Sequence, residues 1–203
     1  MKILALDTAT SSCSVAVTDD GNLCAELTTR KNQTHSKHLM EAIDAVLSSA
    51  GLGVGDLDGF AVTIGPGSFT GLRIGISTTK ALAFAVDKPV VGISSLETLA
   101  WQCAERVHLI CPMLDARKAE VYCATYRFIA DHLEEQSPAC AVMPESFVRQ
   151  MKEPCVFIGS GAQLYRPIIK NILGDQAHFR PYDLDIIRAS SVAFLSLQRF
   201  KSN

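Results

Sequence analysis

The segment from Gly65 to Gly75 carries the residue types best suited to holding an anion. It reads Gly-Pro-Gly-Ser-Phe-Thr-Gly-Leu-Arg-Ile-Gly and lies between an apolar run and a helical pattern. A glycine-rich turn in that position can present backbone N–H groups and a helix N-terminus to a phosphate. Glycines also serve a tight turn that packs closely, so phosphate binding and close packing are both open interpretations.

Three familiar patterns do not fit this segment. It contains no G-x-x-x-x-G-K-[ST] sequence, and its third glycine comes one place too late for G-x-G-x-x-G. Ser68 is flanked two residues away by Pro66 and Thr70, where a nucleophile elbow has glycines. The sequence therefore excludes a Walker A loop, a dinucleotide fingerprint and a hydrolase serine.

A second candidate is Asp7, which ends the first apolar run and is followed by the hydroxyl residue Thr8. In a two-lobed nucleotide-binding fold, such a turn can face the phosphates while the acid orients a metal-bound water. The favoured interpretation is simpler: Asp7 and Thr8 cap the strand and satisfy local amides.

Other chemically active residues give weak signals. His35 and His38 lie three apart at the start of a helical pattern, but a zinc site takes three or four protein ligands, so no metal is predicted. The run 115–120 fits either a solvated charge cluster or a clamp between Asp115 and Arg117 on a turn, and a structural role is favoured over catalysis. The seven cysteines include no C-x-x-C, which favours small buried hydrophobes in a reducing cytoplasm.

Composition narrows the class of protein. With 203 residues, 48% hydrophobic and 20% charged, the chain is expected to fold around a core. Its net charge of -2 lacks the basic excess of an autonomous nucleic-acid binder. The longest uncharged run, 59–72, is shorter than the roughly 18 apolar residues of a membrane span, and no signal-peptide apolar region opens the chain. A soluble cytoplasmic protein is predicted.

Periodicity predicts the same order of elements twice. In the first half we expect strands at 3–6, 14–18 and 23–27, a helix from 34, a strand at 60–64, a helix at 71–86, a strand at 90–93, and a helix that opens with the capping box Ser94-x-x-Glu97 and runs toward 104. In the second half we expect strands at 108–114, 121–128 and 139–143, a helix at 145–151, a strand at 155–158, a helix at 164–173, a strand at 177–180 and a helix at 190–200.

Both halves thus read βββαβαβα, and this order predicts an α/β fold with mixed sheets covered by helices. The predicted lobes are 1–104 and 105–203. The helix at 71–86 is apolar on nearly every side, so it is either deeply buried or covered by a partner chain.

Several segments together resemble one family. The opening Lys2–Thr10, the pair His35-Ser36, the whole of 65–75, the stretch 115–122 and Gly159-Ser160-Gly161 occur in the order and spacing of the TsaB (YeaZ) family of bacterial tRNA threonylcarbamoyladenosine proteins. The resemblance runs from residue 1 to about residue 200. It implies an actin-like, ribonuclease-H-like fold with two lobes.

The resemblance also implies a non-catalytic role. The family's catalytic sister, TsaD, transfers a threonylcarbamoyl group to the adenosine beside the anticodon of ANN-decoding tRNAs, with a metal held by His-x-x-x-His. The corresponding positions here are Ser95 and Leu99, and leucine cannot ligate a metal. The chain resembles the accessory subunit of that complex, with no catalytic residue, no metal and no cofactor. The loop would be a vestigial nucleotide or phosphate site formed by Asp7, Thr8, Gly65, Gly67, Ser68, Thr70 and Gly71.

By the same resemblance, the partners are a TsaD-like catalytic subunit and a TsaE-like ATPase, with a homodimer when the chain is alone, tRNA contacted only through the complex, and no membrane. The first two helices would form the interface, with His35, Leu39, Met40, Ile43, Leu72, Ile76 and Lys80. Family members extend further at the C-terminus, so the second lobe is expected to be short at its end. Two alternatives from other classes are an ATP-dependent phosphotransferase of this fold and a glycoprotease-like peptidase.

Overall fold

The structure is a computed structural model that describes residues 1–30, 35–103, 108–130, 132–180 and 185–202, without the side chains of 35–37 and 202. Its internal contacts divide it into two units, Met1–Thr98 with Ile187–Asn203, and Leu99–Ile186. In the described residues, no helix has both the length and the apolar character needed to cross a bilayer.

The first unit is one five-stranded sheet with helices on both faces. Its strands lie in the order β3-β2-β1-β4-β5, with β1 antiparallel to β2 and parallel to β4. The elements are β1 Lys2–Asp7, β2 Ser12–Asp19, β3 Asn22–Arg30, α1 His35–Ser49, β4 Gly59–Gly65, α2 Phe69–Ala85, β5 Val90–Ser94 and α3 Ser95–Gln102. The helix α3 crosses the boundary between the two units. The last helix of the chain, Ala189–Ser202, also belongs to the first unit.

The second unit repeats this plan. Its strands lie in the order β8-β7-β6-β9-β10, with β6 antiparallel to β7 and parallel to β9, so each strand takes the same place as its counterpart in the first sheet. The elements are β6 Leu109–Arg117, β7 Glu120–Ile129, β8 His132–Val142, α4 Pro144–Val148, β9 Cys155–Ile158, α5 Ser160–Leu164, α6 Arg166–Leu173 and β10 Ala177–Phe179; the last helix is α7. The predicted βββαβαβα order is confirmed in the first half, and the second half follows it with one additional helix, since α5 and α6 both lie between β9 and β10. The predicted α/β, actin-like fold class is confirmed.

The central strands of the first sheet are buried on both faces, as their unbroken apolar runs predict. On one face Leu4, Val15 and Phe60 pack in a core with α1 and α2. α7 lies against the same sheet, where it contacts β1 and β2. Ile3 and Ala5, which alternate with Leu4 along β1, are also fully buried.

α7 is tied to the first unit by hydrogen bonds at both ends. The Ala189 N–H donates to Ser14 Oγ at 2.9 Å, and the Arg199 guanidinium donates to the Gly92 carbonyl and to Glu97 Oε2, each at 2.6 Å. The two units therefore differ from the predicted lobes at 1–104 and 105–203. The last helix completes the first unit, and the second unit ends at Ile186.

Three local predictions needed correction. The strand predicted at 139–143 is the end of the eleven-residue β8. Most residues of this strand are exposed, so its first part lacks the apolar alternation by which a strand is predicted. The helix predicted at 164–173 is α6, which begins at Arg166 because Pro167 is tolerated only in a first turn, and the preceding short helix α5 was not predicted. In the capping box, the Glu97 N–H does bond to Ser94 Oγ at 3.4 Å, but the Glu97 carboxylate pairs with Arg199.

Candidate functional site

The glycine-rich loop of 65–71 packs directly against the β1–β2 turn. The Ser68 N–H donates to the Ala9 carbonyl at 2.7 Å, and Thr8 Oγ1 donates to the Gly71 carbonyl at 2.7 Å. Ser68 also caps α2, because its Oγ accepts the Gly71 N–H at 3.3 Å. The structure thus brings Asp7, Thr8 and the predicted loop residues together, with Ser68 and Thr70 at the exposed end.

Three glycines make this approach possible. A Cβ at Gly67 or Gly71 would overlap the backbone carbonyl of Ala9 or Thr8, and a Cβ at Gly75 would overlap the Thr8 hydroxyl. The spacing of the glycines is therefore explained by close packing of one turn on another. Since the N–H groups of Ser68 and Gly71 already donate within the chain, they are not free to hold a phosphate.

Asp7 faces inward beneath this turn. Its side chain is fully buried, and its Oδ1 accepts hydrogen bonds from Thr63 Oγ1 at 2.7 Å and from the Ala9 N–H at 3.2 Å. The second oxygen, Oδ2, is buried without a hydrogen-bond partner in the described structure. Burial raises the pKa of Asp7 to about 7, against the smaller opposing effect of the two hydrogen bonds. The carboxyl group caps its own turn, as the favoured interpretation of the sequence has it.

The family resemblance predicted that Ser95 and Leu99 stand where the catalytic sister has metal-binding histidines. Ser95 and Leu99 lie on α3, and each side chain is fully buried. Leucine packs as a core residue, and a neutral serine hydroxyl is a poor ligand. Within the described ranges, no group of three or more His, Cys, Asp or Glu side chains is arranged to hold a metal ion.

The helix α2 packs through a stripe of small residues. Gly71, Gly75, Thr79 and Ala83, spaced four apart, are its buried residues and face the rest of the unit. Small side chains allow the helix to approach the sheet closely, and the large residues are turned to other sides.

One of those sides is open to solvent and is called here the α2 outer face. Phe84 is 90% exposed and Phe69 is 67% exposed, which is unusual for phenylalanine in a folded chain. The Arg73 guanidinium lies 3.9 Å from the centre of the Phe69 ring. The exposed residues of the α2 outer face, at helical spacing, are Phe69, Arg73, Ser77, Lys80, Ala81 and Phe84.

The predicted interface residues are divided between surface and core. Met40 is 49% exposed and Lys80 is exposed, whereas Leu72 and Ile76 are half-buried. Leu39 and Ile43, at 1% and 2% exposure, belong to the core of the first unit, because they are the residues by which α1 packs on its own sheet. They are therefore not on a surface that a partner can reach. The prediction for His35 falls on a side chain outside the described residues.

The sequence argument missed Phe69, Arg73 and Phe84. The signal that could have found them is the four-residue spacing of small residues from Gly71 to Ala83, which marks the packed side of the helix. Phe84 follows Ala83 by one residue, about 100° around the helix from that side. It could have been placed on an exposed side from the pattern alone.

The two remaining candidates have local roles. His38 Nδ1 lies 3.2 Å from Glu41 Oε2 on the same helix. Asp115 Oδ1 accepts the Arg117 N–H at 2.9 Å in the turn between β6 and β7, and Arg117, Lys118 and Ala119 all have positive φ. The carboxylate therefore holds the turn through a backbone N–H and not through the Arg117 guanidinium, which agrees with the structural role expected for this run.

Comparison with known proteins shows what this chain is similar to. The family model described as TsaD, tRNA N6-adenosine threonylcarbamoyltransferase, matches residues 23–202. The tRNA threonylcarbamoyladenosine biosynthesis protein TsaB of Bacillus subtilis is 33% identical over 98% of this chain and 88% of its own length. The Escherichia coli protein of the same name is 34% identical over 81% of this chain and 74% of its own length.

The solved structure of YeaZ from Pseudomonas aeruginosa agrees with these matches. It superposes with a TM-score of 0.84 at 27% sequence identity, over 100% of this chain and 93% of that one. The paired sheets, the closed glycine-rich turn and the relatives together lead to one conclusion: the chain belongs to the TsaB family, within the wider group that the TsaD model describes.

Proposed function

We propose that this protein is a non-catalytic scaffolding subunit of the complex that forms N6-threonylcarbamoyladenosine in tRNA. In this role it binds a TsaD-like subunit, which transfers the threonylcarbamoyl group to the adenosine next to the anticodon. The observation that carries the proposal is the α2 outer face, with Phe84 90% exposed. An aromatic ring left in water at the end of a helix is the kind of anchor that protein interfaces bury.

Two features of the chain support a non-catalytic role. Two loop N–H groups that could hold a phosphate already donate within the chain, that of Ser68 to the Ala9 carbonyl and that of Gly71 to Ser68 Oγ. The helix that holds metal-binding histidines in the catalytic sister has buried Ser95 and Leu99 in their place. The residues for both nucleotide and metal chemistry thus serve the fold of this chain.

The α2 outer face also suggests the chemistry of the partner's surface. Its two charged residues, Arg73 and Lys80, are both cations, and the Phe69 and Phe84 rings lie near its two ends. We infer that the TsaD-like subunit covers the rings with apolar side chains and meets the cations with acidic ones at the rim. Met40 on α1 extends the same apolar contact.

The remaining proposed partners are a second copy of the chain, a TsaE-like ATPase and tRNA. The second copy uses the same α2 outer face as the TsaD-like subunit. When the chain is alone, a second copy covers the α2 outer face, so the homodimer and the heterodimer exclude each other. A TsaE-like ATPase docks on the heterodimer. Because the net charge is -2, the tRNA is contacted through the complex and not by this subunit alone.

The test uses depletion and one pair of matched variants. Depletion of the protein in its host is expected to remove threonylcarbamoyladenosine from bulk tRNA, measured by mass spectrometry of nucleosides. The wild-type chain restores the modification, and Phe84→Asp does not, because a carboxylate replaces the apolar anchor. Met143→Asp is the control, since Met143 is 58% exposed in the second unit.

The possible failures are distinguishable. An unchanged level of the modified nucleoside after depletion would reject the function. Full restoration by Phe84→Asp, with co-purification of the TsaD-like subunit intact, would reject the interface and leave the function standing.

A further inference from the structure

Two cysteine thiols lie opposite each other on the edge strand of the second sheet and its neighbour. Cys123 in β7 and Cys140 in β8 are directly opposite in the antiparallel ladder, and their sulfurs lie 3.8 Å apart. Cys123 is fully buried, whereas Cys140 is exposed. Cys140 is thus the residue of the pair that solvent reaches, and the buried Cys123 sulfur lies in contact with its sulfur.

The backbone geometry of this pair suits a disulfide. Opposite residues in an antiparallel ladder have Cα atoms about 4.5 or 5.5 Å apart, and both values lie within the range of about 4.4 to 6.8 Å found for disulfides. A rotation about the Cα–Cβ bonds is enough to bring the two sulfurs together. No change in strand register is needed.

The ladder is irregular just beyond this pair. The register shifts between Cys123 and Thr125, and the next partner of β7 is Ser137. The residues skipped on β8 include Pro138, which has no N–H to donate to a neighbouring strand. The thiol pair is therefore the last regular contact before an interruption at an exposed edge strand.

We propose that Cys123 and Cys140 form a reversible, oxidant-induced disulfide that locks the edge strand β8 to β7. The oxidant is a hydroperoxide, hydrogen peroxide in the simplest case. The disulfide is a modification site separate from the surface proposed for partner binding, and a thiol reductant reverses it.

The reaction has two balanced steps. The Cys140 thiolate attacks one peroxide oxygen, the O–O bond breaks, and the second oxygen leaves as hydroxide, which takes up the thiol proton to form water. The Cys123 sulfur then attacks the sulfenic sulfur of Cys140, the S–S bond forms and the S–O bond breaks, and the hydroxyl group leaves with the Cys123 proton as a second water. The two thiols lose two electrons and the peroxide gains them.

The order of these steps follows from exposure. Burial, with the neighbouring Cys140 as a smaller cause, raises the pKa of Cys123 well above its usual value, so Cys123 stays a thiol while Cys140 reacts first. Cys111 in β6 and Cys155 in β9 are fully buried and out of reach of the oxidant. Cys24, in the first unit, is exposed like Cys140, but its sulfur contacts the Asn22 carbonyl and not a thiol.

The experiment is peptide mapping of the full chain. The reduced protein is treated with dilute hydrogen peroxide, its remaining thiols are alkylated, and it is digested without reductant. We expect a cross-linked peptide that joins Cys123 to Cys140, lighter by two hydrogen atoms than its reduced parts and absent after dithiothreitol. Alkylation of Cys140 should fall roughly tenfold after oxidation and recover on reduction.

The variants make the result specific. Cys24→Ser keeps the cross-link, and Cys140→Ser and Cys123→Ser each lose it. If Cys123→Ser fails to fold, the mapping of the wild-type chain and Cys140→Ser decides alone. Recovery of Cys140 as sulfinic or sulfonic acid with Cys123 still alkylated, at the rate seen for Cys24, would overturn the proposal.

Discussion

Substitution of Asp7 by asparagine should stabilise the first unit at alkaline pH and leave it nearly unchanged at acid pH. Asp7 is fully buried, its Oδ2 has no hydrogen-bond partner in the described structure, and its pKa is raised to about 7 from 3.8. Because the folded state holds the proton more tightly than the unfolded chain does, this group favours folding most below about pH 4. That contribution is lost as the pH rises through about 7.

The size of the effect follows from the two pKa values. Each pH unit between them corresponds to 1.36 kcal/mol, so the full range amounts to about 4 kcal/mol, of which roughly 3 kcal/mol falls between pH 5 and pH 8.5. Asp7→Asn keeps an oxygen for the Thr63 and Ala9 donors and cannot ionise. The free energy of unfolding of the wild type should therefore drop by about 3 kcal/mol more than that of the variant over this interval.

The assay must report on the first unit. Trp101 lies in the second unit, so tryptophan fluorescence is unsuitable, whereas most of the longer helices, α1, α2 and α7, belong to the first. Urea unfolding followed by far-ultraviolet circular dichroism at pH 5 and pH 8.5 gives the two differences. Hydrogen exchange of β1 peptides, compared between the two proteins at each pH, gives the local value.

The control is Asp44→Asn, which removes an exposed carboxylate from α1. Its unfolding free energy should follow that of the wild type at both pH values. Parallel values for the wild type and Asp7→Asn from pH 5 to pH 8.5 would refute the assignment of a raised pKa to the buried carboxyl.

The remaining predictions concern packing on the first sheet. Gly71→Ala should destabilise the first unit by about 3 kcal/mol, because the new methyl group overlaps the Thr8 carbonyl, whereas Gly55→Ala, with no atom within 4 Å, should be nearly neutral in the same urea assay. Arg199→Ala should cost roughly 1 to 2 kcal/mol, because it removes the hydrogen bonds to Gly92 and Glu97 that hold α7. Equal stability of Gly71→Ala and Gly55→Ala would contradict the packing account of the glycine turn. Unchanged hydrogen-exchange protection of α7 in Arg199→Ala would contradict the role given to Arg199.

Much of the fold could be predicted because local patterns agree with the tertiary structure. The alternation in β2 and the Asp20-Gly21 turn, with φ of 47° and 82°, predict the first hairpin. The helical spacing of Leu39, Ile43 and Val46 predicts α1, and Gly51, with φ of 67°, ends its turn. These signals lie within a few residues of one another, so no distant contact has to be known.

The candidate site was harder to predict, because it depends on which residues are buried against other parts of the chain and which are exposed to solvent. The spacing of Gly67, Gly71 and Gly75 indicated a close approach, but the sequence did not say whether a phosphate or the chain itself makes it. Leu39 and Phe84 are both large apolar residues in predicted helices, and only the packing places one at 1% and the other at 90% exposure.

The sequence by itself determined the duplicated element order and the family, because both depend on residue identity and short spacing. The tertiary structure decided that α7 completes the first unit, that the glycine turn is filled by Thr8 and Ala9, and that the Cys123 sulfur lies in contact with that of Cys140. Those facts join residues far apart in the chain, where burial and strand pairing, not local preference, select the contact.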